Sequence, residues 1–98
     1  MARYDVYPGA SGKGYLLDCQ SDLLRDLATR VVIPLMPVGT ELKASRLNPA
    51  FEVEGESHVL ATHLIFAIPR ARLAAPIANF GDQHDVILRA IDMLVTGV

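Results

Sequence analysis

The stretch from residue 82 to residue 98 is the one convincing helix signal in the chain, because its apolar residues recur at helical spacing. The apolar stripe consists of Val86, Ala90, Ile91 and Leu94, and it is widened by Ile87 and Met93. Asp82 follows Gly81 and is expected to cap the first helical turn. One helix at the C-terminal end of the chain is therefore predicted.

The end of this helix combines a stop signal with an apolar tip. Thr96 is a poor helix former and Gly97 suits the position after the last helical residue, so the helix is expected to end near Val95. The sequence nevertheless closes on V-T-G-V, residues 95–98, rather than on a polar segment. Two interpretations remain open: the helix only closes the core, or its tip contacts a partner.

Composition excludes several classes of protein. With 51% hydrophobic and 20% charged residues, the chain is expected to fold as one domain, residues 1–98, with a modest core. Its net charge of −2 and its two lysines, Lys13 and Lys43, argue against direct nucleic-acid binding, which normally needs a basic face. No apolar run suits a membrane span and the N-terminus lacks an apolar signal core, so a cytoplasmic protein without membrane contact is expected.

The residues before the helix read as short strands joined by turns. A first hairpin is predicted from strands 3–7 and 15–22, joined by a loop over residues 8–14 whose S-G-K-G run lacks the spacing of a phosphate-binding loop. A short turn is predicted near Leu23 and Leu24, followed by a buried strand 30–35 that is ended by Pro34. A turn over 36–40 and a loop or weak edge segment over 41–49 come next. Two more strands, 50–54 and 57–66, and an apolar connector, 73–80, complete the part before the helix. Because the predicted strands come first and the single helix comes last, the fold is expected to be mainly β. A small, partly closed barrel with the helix packed against it is the predicted architecture.

No local pattern indicates catalysis, although a catalytic set built from distant residues leaves no such pattern. Cys19 follows apolar residues and is expected to be a buried small hydrophobe rather than a nucleophile. His58 and His63 lie five positions apart in one predicted strand and would face opposite sides, so they could not share a metal ion, and His84 is expected to be exposed. Arg30 could anchor an anion, but a surface or ion-paired arginine is the favoured interpretation. The chain is therefore expected to act by binding rather than as an enzyme, without a cofactor or a metal.

The whole chain resembles the CcdB family, bacterial toxins of toxin–antitoxin modules that poison DNA gyrase. The resemblance follows the same order along both sequences, in residues 4–7 (Y-D-V-Y), 17–24 (L-D-C-Q-S-D-L-L), 30–35 (R-V-V-I-P-L), 47–49 (L-N-P), 62–69 and 85–98. The pair D-x-Q-S-D with two aliphatic residues, followed by R-x-V-I-P-L, is fairly specific. The resemblance covers the chain essentially end to end.

The resemblance implies an SH3-like small barrel with a β-sheet wing and a C-terminal helix. It also implies a symmetric homodimer whose two C-termini lie at one face, which binds the A subunit of DNA gyrase and traps the cleaved-DNA complex. A disordered antitoxin tail would bind the toxin, over the 8–14 loop and the barrel edge, and release gyrase. The gyrase contacts of the family fall, by position, on Leu23, Leu24, Asp92, Val95, Thr96, Gly97 and Val98.

One departure from the family pattern concerns this proposed contact surface. The pattern places a tryptophan, which stacks on an arginine of gyrase, where this chain has Thr96, and a phenylalanine where it has Val95. An aromatic anchor at the centre of an interface contributes about 2–4 kcal/mol, which threonine cannot supply. Three explanations remain open: weak gyrase binding, a gyrase or related topoisomerase with a different pocket, or a loss of toxicity with only antitoxin or DNA-complex roles kept.

Three functions are therefore compared for the chain. It is a gyrase poison without catalytic residues, a ribonuclease toxin on a related barrel, or a non-toxic partner of an antitoxin. The slightly acidic composition and the lack of an obvious Arg, His and Asp cluster argue against the ribonuclease. Growth arrest on expression, its relief by resistant gyrase, and RNA cleavage products distinguish the three.

Overall fold

The protein is an antiparallel sheet followed by one helix. The computed structural model describes residues 1–9, 14–39 and 42–98. The strands of these ranges are β1 (Asp5–Pro8), β2 (Tyr15–Asp18), β3 (Thr29–Pro37), β4 (Ala50–Val53), β5 (Glu56–Leu60), β6 (Phe66–Pro69) and β7 (Ala78–Asn79). Short 3-10 turns lie at Asp22–Leu24, Thr62–Leu64, Arg70–Arg72 and Gly81–Gln83, and helix α1 spans His84–Thr96.

The sheet curves because its longest strand is shared between several partners. The strand order is β4-β5-β3-β2-β1-β7, and β6 pairs with β3 outside this path. On one edge β3 pairs with β2; on the other it pairs with β6 in its first half, where Val32 faces Phe66, and with β5 in its second half, where Leu35 faces Leu60. The result is a nearly closed, barrel-shaped sheet with a C-terminal helix, which confirms the predicted fold class.

Pro34 does not end β3, contrary to the sequence prediction. The strand continues to Pro37, and Pro34 lies opposite Leu16 of β2. On the other edge, Pro34 falls between the residues that pair with β6 and those that pair with β5. Its carbonyl oxygen accepts a hydrogen bond from Ala61 N at 2.8 Å. The missing N–H of Pro34 therefore interrupts no strand pairing on that edge, because neither β5 nor β6 pairs with β3 at this position.

The long strand predicted over residues 57–66 is two strands, β5 and β6. Ala61 leaves the extended conformation, with φ −84° and ψ 68°, and the 3-10 turn Thr62–Leu64 redirects the chain. Thr62 is fully buried in this turn. Periodicity could not detect the break, because the segment is apolar on both sides of it.

Several other boundaries differ from the sequence predictions. The first strand begins at Asp5, because Tyr4 takes a left-handed conformation with φ 69°. The return strand ends at Asp18, and the connector 73–80 contains β7. Residues 10–13 of the predicted 8–14 loop, and Thr40 and Glu41 of the predicted turn and loop over 36–49, lie outside the described residues.

The helix forms where it was predicted, with a different beginning and a different buried face. Its first residue is His84, and Asp82 lies in the preceding 3-10 turn without capping the helix. Ile87 and Ala90 are buried, while the predicted stripe residues Val86, Met93 and Leu94 are 39%, 37% and 36% exposed. None of the helices in the described ranges is long and apolar enough to cross a membrane.

The core contains a buried ion pair beside its apolar side chains. Arg30 Nε donates to Asp18 Oδ2 at 2.7 Å, and the two side chains are 1% and 0% exposed. This confirms that Arg30 is an ion-paired arginine. The apolar residues around the barrel axis and under the helix include Val6, Leu17, Ile33, Leu35, Leu60 and Ile87, all at or below 1% exposure.

Candidate functional site

The C-terminal tip of α1 is an exposed apolar surface. The side chains of Val95 and Val98 are each 74% exposed, and Asp92, Thr96 and Gly97 are exposed as well. The tip therefore does not only close the core, since these valines contribute little to it. Water-exposed valines at the end of an ordered helix are available to a partner, which would gain their burial.

Thr96 is bonded to its own helix. Its Oγ1 donates to the carbonyl oxygen of Asp92 at 2.7 Å, one helical turn earlier. Because the hydroxyl proton is used inside the helix, Thr96 offers a partner mainly its methyl group and an oxygen acceptor. The position where the family pattern has an aromatic anchor is therefore small and largely apolar here.

Gly97 ends the helix as the sequence predicts. It lies in the left-handed conformation with φ 77° and ψ 14°, and its N–H donates to the carbonyl oxygen of Met93 at 3.0 Å. Glycine adopts this conformation without the strain that a Cβ atom brings. Gly97 therefore ends the helix one residue before Val98.

A second segment of the chain reaches the tip through Arg46. Its Nη2 donates to a main-chain oxygen of Val98, which in this chain belongs to the terminal carboxylate. Arg46 lies in a tight turn in which Ser45 N donates to the carbonyl oxygen of Asn48 at 2.9 Å and Asn48 N donates to Ser45 Oγ at 3.1 Å. The buried Asn48 side chain also donates to the carbonyl oxygen of Leu60 at 3.0 Å, which fixes the turn to the end of β5.

Leu23 and Leu24 lie on a separate element, the 3-10 turn Asp22–Leu24. The Oγ atom of Ser21 caps this turn by accepting from Leu23 N at 3.2 Å, and Gln20 Nε2 donates to the carbonyl oxygen of Leu24 at 2.9 Å. Leu23 is 92% exposed and Leu24 50%. No hydrogen bond between described residues joins these two leucines to the tip. Within one chain, the predicted contact residues therefore form two groups. Those at the end of α1 lie together, and the two leucines form a second exposed apolar group on another element.

The three histidines occupy three different environments. His58 is buried on β5, with Nδ1 3.0 Å from the carbonyl oxygen of Glu56, while His63 is exposed in the following 3-10 turn. His84 is only half-exposed, contrary to the sequence prediction, because its Nδ1 lies 2.6 Å from the hydroxyl of Tyr4. The expectation that His58 and His63 share one strand was also wrong, since β5 ends at Leu60.

Cys19 is a buried, unreactive thiol, as the sequence predicts. Burial is the main cause that raises its pKa to about 12, and the neighbouring Asp18 carboxylate raises it further. The thiolate, which is the nucleophilic form, is therefore scarce at neutral pH. Among the described residues, no group of three or more His, Cys, Asp or Glu side chains is arranged to hold a metal ion.

A cleft of about 940 Å³ lies beside the first hairpin, on strands β2, β3 and β5. Its walls are mainly apolar, and they include Tyr15, Leu16, Leu35, Met36, Phe66 and Ile77. Glu54, Glu56 and His58 add polar groups from the β4–β5 hairpin, and Gly9 and Gly14 line the side next to the loop. Neither the cleft nor the contact of Arg46 with the tip could be found from the sequence, because both depend on segments that are distant along the chain.

Comparisons with known proteins agree with this architecture. The family model described as CcdB protein matches residues 3–97 of the chain. No curated protein matches the sequence.

Several solved structures share the fold. An endoribonuclease in complex with its cognate antitoxin, from a mycobacterial species, superposes with a TM-score of 0.78 at 14% identity over 97% of this chain and 94% of that chain. An endoribonuclease from a mycobacterial species gives a TM-score of 0.79 at 14% identity over 97% and 90%. The Mycobacterium tuberculosis toxin MazF-mt6 gives 0.75 at 14% identity over 93% and 95%.

At such low identity, these structures establish a common barrel fold and nothing about the chemistry of this chain. The family match has a different weight, because it extends over almost every residue. It includes the buried Asp18 and Arg30, the cap at Ser21 and the helix that ends at Gly97. The chain therefore belongs to the CcdB family, whose members are toxins of toxin–antitoxin systems.

Proposed function

We propose that this protein binds the A subunit of DNA gyrase through the tip of α1 and holds the enzyme in its cleaved-DNA state. The observation that carries the proposal is the exposure of Val95 and Val98, at 74% each, at an ordered helix end. These residues coincide with the family's gyrase contacts, which also include Leu23, Leu24, Asp92, Thr96 and Gly97. Binding that favours one gyrase conformation shifts its population and requires no catalytic residue on the toxin.

We further propose that the active species is a symmetric homodimer. Val86, Met93 and Leu94 leave a partly exposed apolar stripe along the same helix, next to its buried face. A symmetric pair of chains would cover this stripe by placing the two helices against each other. Such a dimer brings two tips to one face, which would give gyrase a larger apolar surface than one tip offers.

The antitoxin is proposed to occupy the cleft beside the first hairpin. The cleft has the apolar walls that a folding peptide segment needs, and its rim carries the carboxylates Glu54 and Glu56. An extended antitoxin tail with apolar and basic side chains would fit both features. The cleft is also lined by Gly9 and Gly14, which belong to the 8–14 loop that is expected to bind the antitoxin.

Ribonuclease activity is a second candidate, and the barrel shared with the mycobacterial endoribonucleases favours it. The residues of this chain offer it little support, because His58 is buried and Arg30 is held by Asp18 in the core. General acid–base cleavage of RNA needs accessible groups within hydrogen-bond reach of the scissile phosphate. Incubation of the purified protein with labelled RNA tests this candidate, and cleavage products would favour it over gyrase binding.

A third candidate is a family member that binds an antitoxin but not gyrase. The observation in its favour is Thr96, whose hydroxyl bonds within its own helix and whose side chain cannot stack on an arginine. Protein expression in the cell separates it from the first candidate. A gyrase poison arrests growth, and a gyrase A subunit with an altered toxin-binding site relieves the arrest, whereas the non-toxic relative allows growth in both backgrounds.

The direct test of the proposed function uses purified components. The protein is mixed with the gyrase A subunit of the same organism, and the complex is measured by size-exclusion chromatography with light scattering and by titration calorimetry. The proposal predicts a complex that contains two toxin chains. If the folded protein forms no complex with the A subunit, gyrase is not its target.

A further inference from the structure

We infer that His58 is a specificity residue of the cleft beside the first hairpin, where its Nε2 atom accepts a hydrogen bond from an arginine of the antitoxin. The inference rests on the proposed function and deepens it, because it names the antitoxin side chain that the cleft selects and a residue that selects it. The observation that carries it is a buried histidine on the wall of the cleft, one of whose ring nitrogens is an acceptor without a partner in the described part of the chain.

The strand that carries His58 determines which ring nitrogen holds the proton. Nδ1 lies 3.0 Å from the carbonyl oxygen of Glu56, and a carbonyl oxygen can only accept, so Nδ1 is the donor. In the neutral ring Nε2 is then an acceptor. Between described residues, the hydrogen bond of the His58 side chain is the one at Nδ1. Because the side chain lines the cleft and is only 3% exposed, a molecule bound in the cleft can supply the missing donor.

The His58 ring is held in place before any partner binds. Its Nδ1 is bonded to the strand, and its edge packs against the ring of Tyr15 on β2, with the centroids 5.1 Å apart and the planes at 70°. The neighbouring strands place Pro37 and Phe51 opposite His58. A side chain that is already ordered loses little conformational entropy on binding, so the acceptor contributes to affinity with most of its strength.

The charged side chains on the described wall of the cleft are carboxylates. Glu54 and Glu56 are exposed and line the cleft, and its described lining contains no Lys or Arg. Neither carboxylate forms an ion pair with a described Lys or Arg. Glu56 lies two positions before His58 on β5, so the two side chains are on the same face of that strand. A cation with N–H donors would therefore meet a negative charge and a neutral acceptor on one wall.

Arginine is the side chain that uses all of these groups. Its planar guanidinium carries several N–H donors, so it can bond to a carboxylate and to Nε2 at the same time, and its plane can lie against an aromatic ring such as that of Tyr15. Its apolar stem fits walls formed by Met36 and Phe66. A lysine has the charge but not the plane, and an acidic side chain would be repelled by Glu54 and Glu56.

Titration calorimetry with synthetic peptides tests the inference. The peptides cover the C-terminal half of the antitoxin of the same toxin–antitoxin module, and each arginine in turn is replaced by norleucine, which keeps an apolar stem, or by lysine. They are titrated into the natural protein and into the variants His58→Leu, His58→Gln, Glu56→Gln and Glu52→Gln. Glu52 is the matched control, because it is exposed on β4 of the same hairpin but does not line the cleft.

The peptide and protein changes should depend on each other. We expect one arginine whose replacement by norleucine weakens binding to the natural protein about tenfold, with lysine recovering part of the loss. In His58→Leu the same replacement should cost only about threefold, because one partner of the arginine is already missing. His58→Gln, which keeps an acceptor, should lie between the two. Glu56→Gln should bind about threefold more weakly with a smaller salt dependence, and Glu52→Gln should bind like the natural protein.

The outcomes separate the inference from the proposed function. If the arginine replacement costs the same in the natural protein and in His58→Leu, or if Glu56→Gln and Glu52→Gln lose affinity equally, the inference is overturned. Phe66→Ser then shows whether the antitoxin occupies the cleft at all, because it removes an apolar wall without changing the charge. Weaker binding by Phe66→Ser keeps the antitoxin in the cleft, whereas unchanged binding means that the proposed antitoxin site falls with the inference.

A second measurement does not depend on the folding of a variant. Thermal unfolding verifies that each variant is folded, and NMR of the imidazole nitrogens follows His58 in the natural protein. We expect the Nε2 resonance to shift when the natural peptide binds, because the atom then accepts a hydrogen bond, and to shift much less with the norleucine peptide. An Nε2 resonance that does not change on binding of the natural peptide would overturn the inference.

Discussion

Val95 and Val98 can be replaced without disturbing the core, so a double variant, Val95→Ser with Val98→Ser, separates binding from folding. Burying a valine side chain completely contributes about 1.5–3 kcal/mol relative to leaving it exposed. Each valine is 74% exposed, so a partner that covers it gains roughly 1–2 kcal/mol. The two together account for about 2–4 kcal/mol, which corresponds to roughly thirtyfold to thousandfold in affinity.

The expected effect on folding is small by the same reasoning. Substitutions of exposed side chains usually change the free energy of unfolding by no more than about 0.5 kcal/mol. Titration calorimetry with the gyrase A subunit and thermal unfolding of the toxin measure the two quantities on the same variants. The matched control is Val38→Ser, since Val38 is 60% exposed and lies just after β3.

The reasoning predicts a large loss of affinity for the double variant, no loss for Val38→Ser, and nearly unchanged unfolding temperatures for both. Equal affinity of the double variant and the natural protein would refute the assignment of the tip as the contact surface. A large drop in the unfolding temperature of the double variant would refute the view that these valines lie outside the core.

Arg30→Met leaves Asp18 buried without its partner, which should cost about 3–5 kcal/mol of stability, and chemical denaturation should show it as a lower midpoint. An unchanged midpoint would mean that the ion pair does not contribute as its burial indicates. Folding raises the pKa of Cys19 from 9.0 and that of Tyr7 from 10.0, in both cases to about 12. The contribution of each group to stability is therefore complete below its ordinary pKa and is lost progressively as the pH rises from that value to about 12. The free energy of unfolding should therefore fall from about pH 9 upward, and Cys19→Ala should reduce the slope. Gly97→Ala meets no atom within 4 Å but forces a Cβ into the left-handed conformation, so we expect a loss of about 1 kcal/mol and weaker gyrase binding, measured by thermal unfolding and calorimetry. Unchanged binding by this variant would show that the turn at Gly97 does not shape the contact surface.

The features that local chemistry determines could be predicted from the sequence. The left-handed residue after the helix follows from Gly97, and the short turn at Leu23 and Leu24 follows from the polar Ser21 and Asp22 that precede them. Cys19 was correctly expected to be buried, because it continues an apolar strand. The mainly β class with one terminal helix followed from the order of the patterns alone, and the family match supports the order of the motifs.

The features that depend on distant partners could not be predicted. Whether Pro34 ends a strand depends on which neighbours pair on each edge, and β5 and β6 happen to leave a gap at that position. His84 was expected to be exposed, since nothing near it in the sequence indicates that Tyr4 lies against it. The contact of Arg46 with Val98 is of the same kind, because a polar loop gives no sign of which surface it reaches.

A DNA-cleavage assay tests gyrase poisoning most directly. The purified protein is incubated with gyrase from the same organism, ATP and supercoiled plasmid, beside a Thr96→Trp variant that restores the aromatic anchor of the family pattern. We predict that the natural protein accumulates linear, protein-linked DNA, which would mean that threonine suits its own target. If only Thr96→Trp accumulates protein-linked DNA, the tip is still the contact surface, and the missing aromatic side chain is the reason why the natural protein is inactive. Absence of protein-linked DNA with both proteins would contradict the assignment of gyrase as the target.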